Sequence, residues 1–142
     1  MAELTLDALK IRIRESVLDI FPDVWAIYLY GSTARGDQWP GSDLDVAVLL
    51  PPGQAVEQPW QIAGQLAGAL GREIDLVDLR QSGDVLCMQV LAEGVVLYNA
   101  EPGEVLAWEA HAMTRYGHYR HEIADLMADF RATGIGYAGS GR

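Results

Sequence analysis

The chain has 142 residues, half of them hydrophobic, with 20 acidic against 10 basic side chains and a formal net charge of −10. One domain with a substantial core fits that length, whereas a nucleic-acid binder must neutralise phosphates with Lys and Arg, and this chain has one Lys and scattered Arg. Its lone cysteine, Cys87, excludes an internal disulfide.

Taken in order, Leu6, Leu9, Ile13, Val17 and Ile20 recur at helical spacing and predict a first helix ending before Pro22. Trp25–Tyr30 reads as a largely buried strand. A Gly-Ser turn follows, then ten residues, then a second apolar strand from Leu44 to Leu50 that stops at Pro51-Pro52-Gly53. Trp60, Ala63, Ala67 and Leu70 mark the buried stripe of an amphipathic helix, with Gly71 as its stop. Arg72–Leu79 reads as a third strand. Ser82 and Asp84 open a helix that runs through Leu86, Val90 and Leu91 and closes at Gly94, and Val95–Tyr98 is a fourth strand. Glu101-Pro102-Gly103 breaks the chain. From Glu104 a long helix carries Val105, Trp108, Ala112, Tyr116, Tyr119, Ile123, Leu126 and Phe130 at steps of three and four.

These elements predict an α+β fold: a small mixed sheet of about four strands with flanking helices on one side. Residues 1–131 form the expected single domain, C-terminal helix included. The Gly-rich stretch 132–142 is expected to be a disordered tail. No basic, apolar leader opens the chain and no run reaches membrane-spanning length. The expectation is a cytoplasmic protein without a membrane partner.

The chemistry concentrates around Gly31-Ser32 and Asp43-Leu44-Asp45. Strand side chains alternate, so Asp43 and Asp45 share a face, about 7 Å apart along the strand. Two carboxylates on a Val/Leu strand are costly unless a positive charge lies between them. Mg²⁺ suits such a site, since it takes one or two carboxylates plus substrate phosphates. Gly31 admits close backbone approach. Ser32 is a good N-cap for a short helix whose first N–H groups bind phosphate. Arg35, one turn on, reaches the same anion. The third strand offers Asp75 and Asp78, an odd number apart and therefore on opposite faces. Only one of them can join Asp43 and Asp45.

Gly31-Ser32, ten residues, then Asp43-Leu44-Asp45 resembles the signature of the polymerase-β-like nucleotidyltransferase superfamily. The form Gly31-Ser32-Thr33-Ala34-Arg35-Gly36 on a short chain is similar to the minimal nucleotidyltransferases, the MNT antitoxins found beside HEPN-domain toxins. The resemblance covers roughly the first hundred residues. It implies a polymerase-β-like minimal fold and a third carboxylate in mid-strand, the position of Asp75. Asp78 is then expected to be a solvated cap. It also implies AMP transfer from ATP to a hydroxyl, expected to be a tyrosine of a HEPN toxin partner. Asp43, Asp45 and Asp75 would be the catalytic and metal-binding residues, holding two Mg²⁺ ions about 3.5–4 Å apart as in other two-metal sites. Gly31, Ser32 and Arg35 would hold the triphosphate.

Two other functions are open to such a chain: transfer to a small molecule of aminoglycoside type, and a non-catalytic antitoxin that acts by contact alone. A pure binding module has no need of three converging acids. Trp39 and Pro40, in the ten-residue loop, either stack on a base or pin the loop to the core. His111, His118 and His121 read as a solvated face rather than a zinc site. Arg115 and His121 echo the Arg-x(4–6)-His pattern of HEPN ribonucleases, but that fold is all-helical. Cys87, among Val85, Leu86 and Met88, reads as a core residue. The first half of the long helix should close the core. Tyr119–Phe130 either docks on a basic partner, with Glu122, Asp125 and Asp129 at the rim, or packs with the rest of the helix onto its own sheet.

Overall fold

The computed structural model describes residues 5–31 and 43–133, with side chains beyond 117 limited to Asp125 and Ala128. In chain order the elements are α1 (Leu6–Ile20), β1 (Ala26–Tyr30), β2 (Leu44–Leu49), α2 (Pro59–Leu70), β3 (Ile74–Asp78), α3 (Asp84–Glu93), β4 (Val95–Asn99) and α4 (Pro102–Thr133). A single 3₁₀ turn, Leu79–Gln81, follows β3.

Local chemistry sets the ends of these elements. The Thr5 hydroxyl accepts from the Ala8 N–H and starts α1. Pro59 occupies the first turn of α2, and Gly71 ends that helix in the left-handed region at φ 71°, its N–H donating to the Ala67 carbonyl. α4 starts at Pro102, two residues before the expected Glu104. Pro102 does not break it, because proline at a first turn lacks only an N–H that would have no helical acceptor. The helix runs to Thr133, so Ala132 and Thr133 belong to it rather than to the expected tail. The rest of that tail lies outside the described residues.

The sheet order is β3-β2-β1-β4. β1 pairs antiparallel with both β2 and β4, and β2 pairs parallel with β3, so the sheet is mixed as expected. A bulge opposite Ile27 and Tyr28 leaves Leu97 without a register partner.

Helices cover both faces of the sheet, not one. On the first face, Leu9, Ile13 and Val17 of α1 and Leu66 and Leu70 of α2 pack against Ile27, Leu29, Leu44, Val46, Val48 and Leu76. On the second, Cys87 and Val90 of α3 and Val105 of α4 pack against Ala26, Tyr28, Tyr30, Ala47 and Leu49. The sequence already carries the reason. All five residues of β1 are buried, and all of β2 except Asp45. A strand covered on one face alternates apolar with polar, whereas a near-continuous apolar run needs cover on both.

The buried stripe of α2 also differs from expectation. Leu66 and Leu70 are its buried residues. Trp60 stands 74% exposed, because the turn that carries it lies beside the sheet edge rather than over the core.

Polar ties fasten the helices and loops. The Arg12 guanidinium donates to the Ala69 carbonyl, joining α1 to the last turn of α2 at 2.8 Å. Tyr28 donates from its hydroxyl to Glu109 Oε2 of α4 at 2.7 Å. Arg115 pairs with Asp84 of α3 at 3.0 Å and lies 3.2 Å from His111 Nδ1. Arg115 therefore ties α4 to α3. The His118 and His121 side chains lie outside the described residues. Cys87 is buried, with its thiol directed at the Leu79 carbonyl. In the first half of α4, Val105 and Ala112 are buried and close the core as expected. In the second half, Asp125 is exposed and the other side chains named for docking lie outside the described residues.

Asp78 is the largest departure from expectation. It is a cap, but a buried one at 8% exposure. Its Oδ2 accepts from the Val56 N–H at 2.8 Å and its Oδ1 from the Arg80 N–H at 3.1 Å. Arg80 in turn donates to the Leu50 carbonyl at 2.6 Å and stands 5.1 Å from the centre of the Trp25 ring. Asp78 thus pins the loop between β2 and α2 to the end of β3.

Asp78→Asn turns an amide NH₂ toward one of those two N–H donors. The expected cost is about 1–3 kcal/mol for a buried group left without its partner, read as a lower urea midpoint at unchanged slope; an unchanged midpoint would refute this account. Tyr28 supplies a pH test. Burial first, and then the bond to Glu109, push its phenol above its ordinary value. A raised folded-state value contributes stability that is fully present below the ordinary tyrosine value and declines as pH rises above it. Unfolding free energy should therefore fall as pH climbs above about 10, and Tyr28→Phe should flatten that fall.

Candidate active site

Three residues from three strands, with Gly31 just after the first strand, meet at one end of the sheet. Tyr30 pairs with Asp45, and Asp45 pairs with Asp75, so the three occupy one row across β1, β2 and β3. Neighbouring strands lie about 4.8 Å apart. Gly31 follows Tyr30 and closes the row.

The pleat decides which way each side chain points. Leu44, Val46 and Val48 face the α1/α2 side. Ala47 and Leu49 face the α3/α4 side, and Asp45, two residues before Ala47, shares that face. On β3, Leu76 packs toward α1/α2 and Val77 toward α3/α4. Asp75 thus points to the same face as Asp45, and Asp78 to the opposite one. Asp43 immediately precedes β2 and is exposed. The Leu44 N–H donates to the Glu73 carbonyl at 3.0 Å, which carries the parallel ladder up to Asp43. Asp43 is then in step with Asp45.

Gly31 is constrained by both its backbone and its surroundings. Its φ is +76°, in the left-handed region that favours glycine. A Cβ added there would collide with Oδ2 of Asp45. The backbone at the end of β1 thus lies directly against the Asp45 carboxylate. Ser32 and Arg35, expected to hold phosphate, lie outside the described residues, as do Trp39 and Pro40.

Tyr30 is the residue that sequence reading passed over. It is buried at 4% exposure. Its phenol is pushed up to about 12 by burial first, then by the charges of Asp75 and Asp45. The hydroxyl therefore stays protonated beside both carboxylates. Only the pairing register of β1 and β2 reveals this neighbour, and nothing in the local sequence fixes that register.

The donor set is carboxylate oxygen. Among the described residues, no three His, Cys, Asp or Glu side chains close into a cage by themselves. Asp45 and Asp75 on one row, with Asp43 at its exposed end, form an open acidic face. That fits Mg²⁺, which keeps waters and shares its coordination with substrate phosphates, better than a metal needing an all-protein cage.

Beside the acidic row lies an open cleft of about 470 Å³, lined by Trp60, Ala63, Gly64 and Ala67 of α2 and by Glu73, Ile74, Asp75 and Leu76 at β3. Asp75 belongs to both the row and the cleft.

The family model described as polymerase beta, nucleotidyltransferase matches residues 14–102. The chain is 36% identical over 118 residues to the protein adenylyltransferase MntA of Shewanella oneidensis, covering 80% of this chain and 84% of that protein. Among solved structures, a chain of a toxin–antitoxin complex with AMP-PNP superposes with a TM-score of 0.74 at 32% identity, over 86% of this chain and 98% of its own. A chain of the tri-AMPylated Shewanella oneidensis HEPN toxin in complex with MNT antitoxin superposes with a TM-score of 0.73 at 28% identity, over 89% and 99%. The family likeness read from Gly31-Ser32 and Asp43-Leu44-Asp45 is borne out, over nearly the span expected.

Gly31→Ala tests the close approach. A left-handed residue with a Cβ costs roughly 1–2 kcal/mol, and here the Asp45 carboxylate must also move. The urea midpoint should fall, although glycine-to-alanine at a compatible position is stabilising. An unchanged or raised midpoint would show that Asp45 is not held against the Gly31 backbone.

Proposed function

The chain belongs to the polymerase-β nucleotidyltransferase family, and within it we propose a protein adenylyltransferase that moves AMP from ATP to a tyrosine hydroxyl of a HEPN toxin and thereby acts as its antitoxin. One observation carries this reading: the parallel register that sets Asp45 opposite Asp75 on a face bordered by the Gly31 turn. The MntA relative is named a protein adenylyltransferase, and one structural neighbour is an MNT antitoxin in complex with a tri-AMPylated HEPN toxin. The strongly negative chain suits a basic protein acceptor. The working unit is a single domain in the cytoplasm that includes the whole of α4.

In this reading Gly31 and Ser32 receive the β- and γ-phosphates, and Arg35 offsets their charge. Asp43, Asp45 and Asp75 would hold Mg²⁺ together with the triphosphate. When bound, Mg²⁺ neutralises charge on the phosphates and makes the acceptor hydroxyl more acidic. The hydroxyl oxygen bonds to the α-phosphorus as the bond to the bridging oxygen of the β-phosphate breaks, and pyrophosphate leaves with that electron pair. Asp75, exposed on the acceptor side, accepts the hydroxyl proton and passes it to water. The protein's contribution is mostly positioning and electrostatics, as in other phosphoryl transfers. Buried Tyr30, protonated at the end of the row beside the two acids, is a positioning residue for their carboxylates.

The test pairs the chain with a HEPN-domain toxin, Mg²⁺ and ATP labelled at the α-phosphate. Label should appear on a tyrosine of the acceptor. Asp45→Asn and Asp75→Asn should each lower the rate at least a hundredfold, a loss of about 2.7 kcal/mol in transition-state stabilisation. Asp45→Asn should also lose the rise in melting temperature that Mg²⁺ with AMP-PNP gives the native chain. Near-native labelling by either variant would overturn the assignment of the acids, and absence of labelling by the native chain would overturn the proposed reaction.

A further inference from the structure

We propose that the cleft between α2 and the outer edge of β3 is the seat of the acceptor protein: an extended, basic segment lies along it and delivers its hydroxyl to Asp75. This rests on the adenylyltransferase reading and adds the side from which the acceptor arrives, with Trp60 and Glu73 as its specificity residues.

The first argument is the order of the row. Gly31 follows the end of β1, Asp45 stands on β2 and Asp75 on β3, and β3 ends the sheet. In phosphoryl transfer the attacking and leaving oxygens lie roughly in line, on opposite sides of the phosphorus. With the pyrophosphate held at Gly31, the nucleophile comes from the opposite end of the row. That end opens into the cleft, and Asp75 lines it.

The second argument is the cleft itself. Ala63, Gly64 and Ala67 make one wall low, and a Cβ added at Gly64 would meet nothing within 4 Å. Trp60 stands at the end of this wall. A large aromatic ring left 74% exposed on a helix is unusual for a side chain whose burial is so favourable, and such rings recur as interface anchors. The opposite wall is an edge strand. The Glu73 carbonyl is used by Leu44 of β2, so alternation along a parallel ladder turns the backbone groups of Ile74 and Leu76 outward to the cleft. An extended peptide reads such an edge by main-chain pairing and side-chain pockets. Glu73 and Asp75 make this wall acidic, which favours a basic segment.

Adenylylation rates measured with the HEPN partner varied at saturating ATP, and with ATP varied at saturating partner, test the proposal. Trp60→Ala should raise the KM for the partner at least tenfold while leaving the KM for ATP and the affinity for AMP-PNP within twofold. Gly64→Gln, which fills the cleft with a good helix former, should do the same without loss of melting temperature. Glu73→Lys should raise the partner's KM and weaken its salt dependence. Partner KM values within twofold of native in Trp60→Ala and Gly64→Gln would overturn the proposal, as would a rise confined to the KM for ATP, which would make the cleft a nucleotide-base site. A native chain that labels no protein would remove the adenylyltransferase reading and this proposal with it; labelling that ignores the cleft variants would remove this proposal alone.

Discussion

The structure depends on the pairing of β2 with β3. It is parallel, and its register puts Val46 beside Leu76 on one face and Asp45 beside Asp75 on the other. Burial on the α1/α2 side holds that register. A slip of one residue would send Val46 and Val48 toward the other face and Asp45 into the core. Two like charges directly across a strand pair are unfavourable, and the apolar contacts behind them offset that cost. The acidic face thus exists because a hydrophobic face stands behind it.

The same pairing divides the work between the two layers of helix. α1 and α2 cover the face that fixes the register. α3 and α4 cover the far part of the other face, against Ala47 and Leu49, and Asp45 and Asp75 lie beyond that apolar cover. Tyr28 and Tyr30 mark the transition. Tyr28 reaches Glu109 of α4, whereas Tyr30, two residues nearer the acidic row, feels the charges of Asp45 and Asp75 instead.

Much of this was legible in the sequence, and the reasons differ by residue. The boundaries of α1, β1, β2 and β3 follow from apolar spacing and from Pro and Gly stops. The opposed faces of Asp75 and Asp78 follow from parity alone, which holds whatever the register. The burial of Asp78 does not, because its partner Val56 lies 22 residues away on an irregular loop. The two-sided helix cover was present in the near-continuous apolar runs of β1 and β2. The exposure of Trp60 was hidden because a helical stripe gives a direction, not how far along the helix the core extends. Tyr30 beside the acids required the register of β1 against β2, which short-range pattern does not carry.

Asp75 and Asp78 stand three residues apart on a strand that uses one for chemistry and one for architecture. That odd interval makes β3 intolerant of length change. A single insertion or deletion between them would place both carboxylates on one face, either burying a charge behind the acidic row or stripping the loop at Val56 of its anchor. The segment 51–55, irregular apart from its turn and mostly exposed, has no such parity to keep. Change in chain length should therefore accumulate before α2 and be excluded from β3, so that the reach of the α2 wall can vary among descendants of this fold while the acidic row stays fixed.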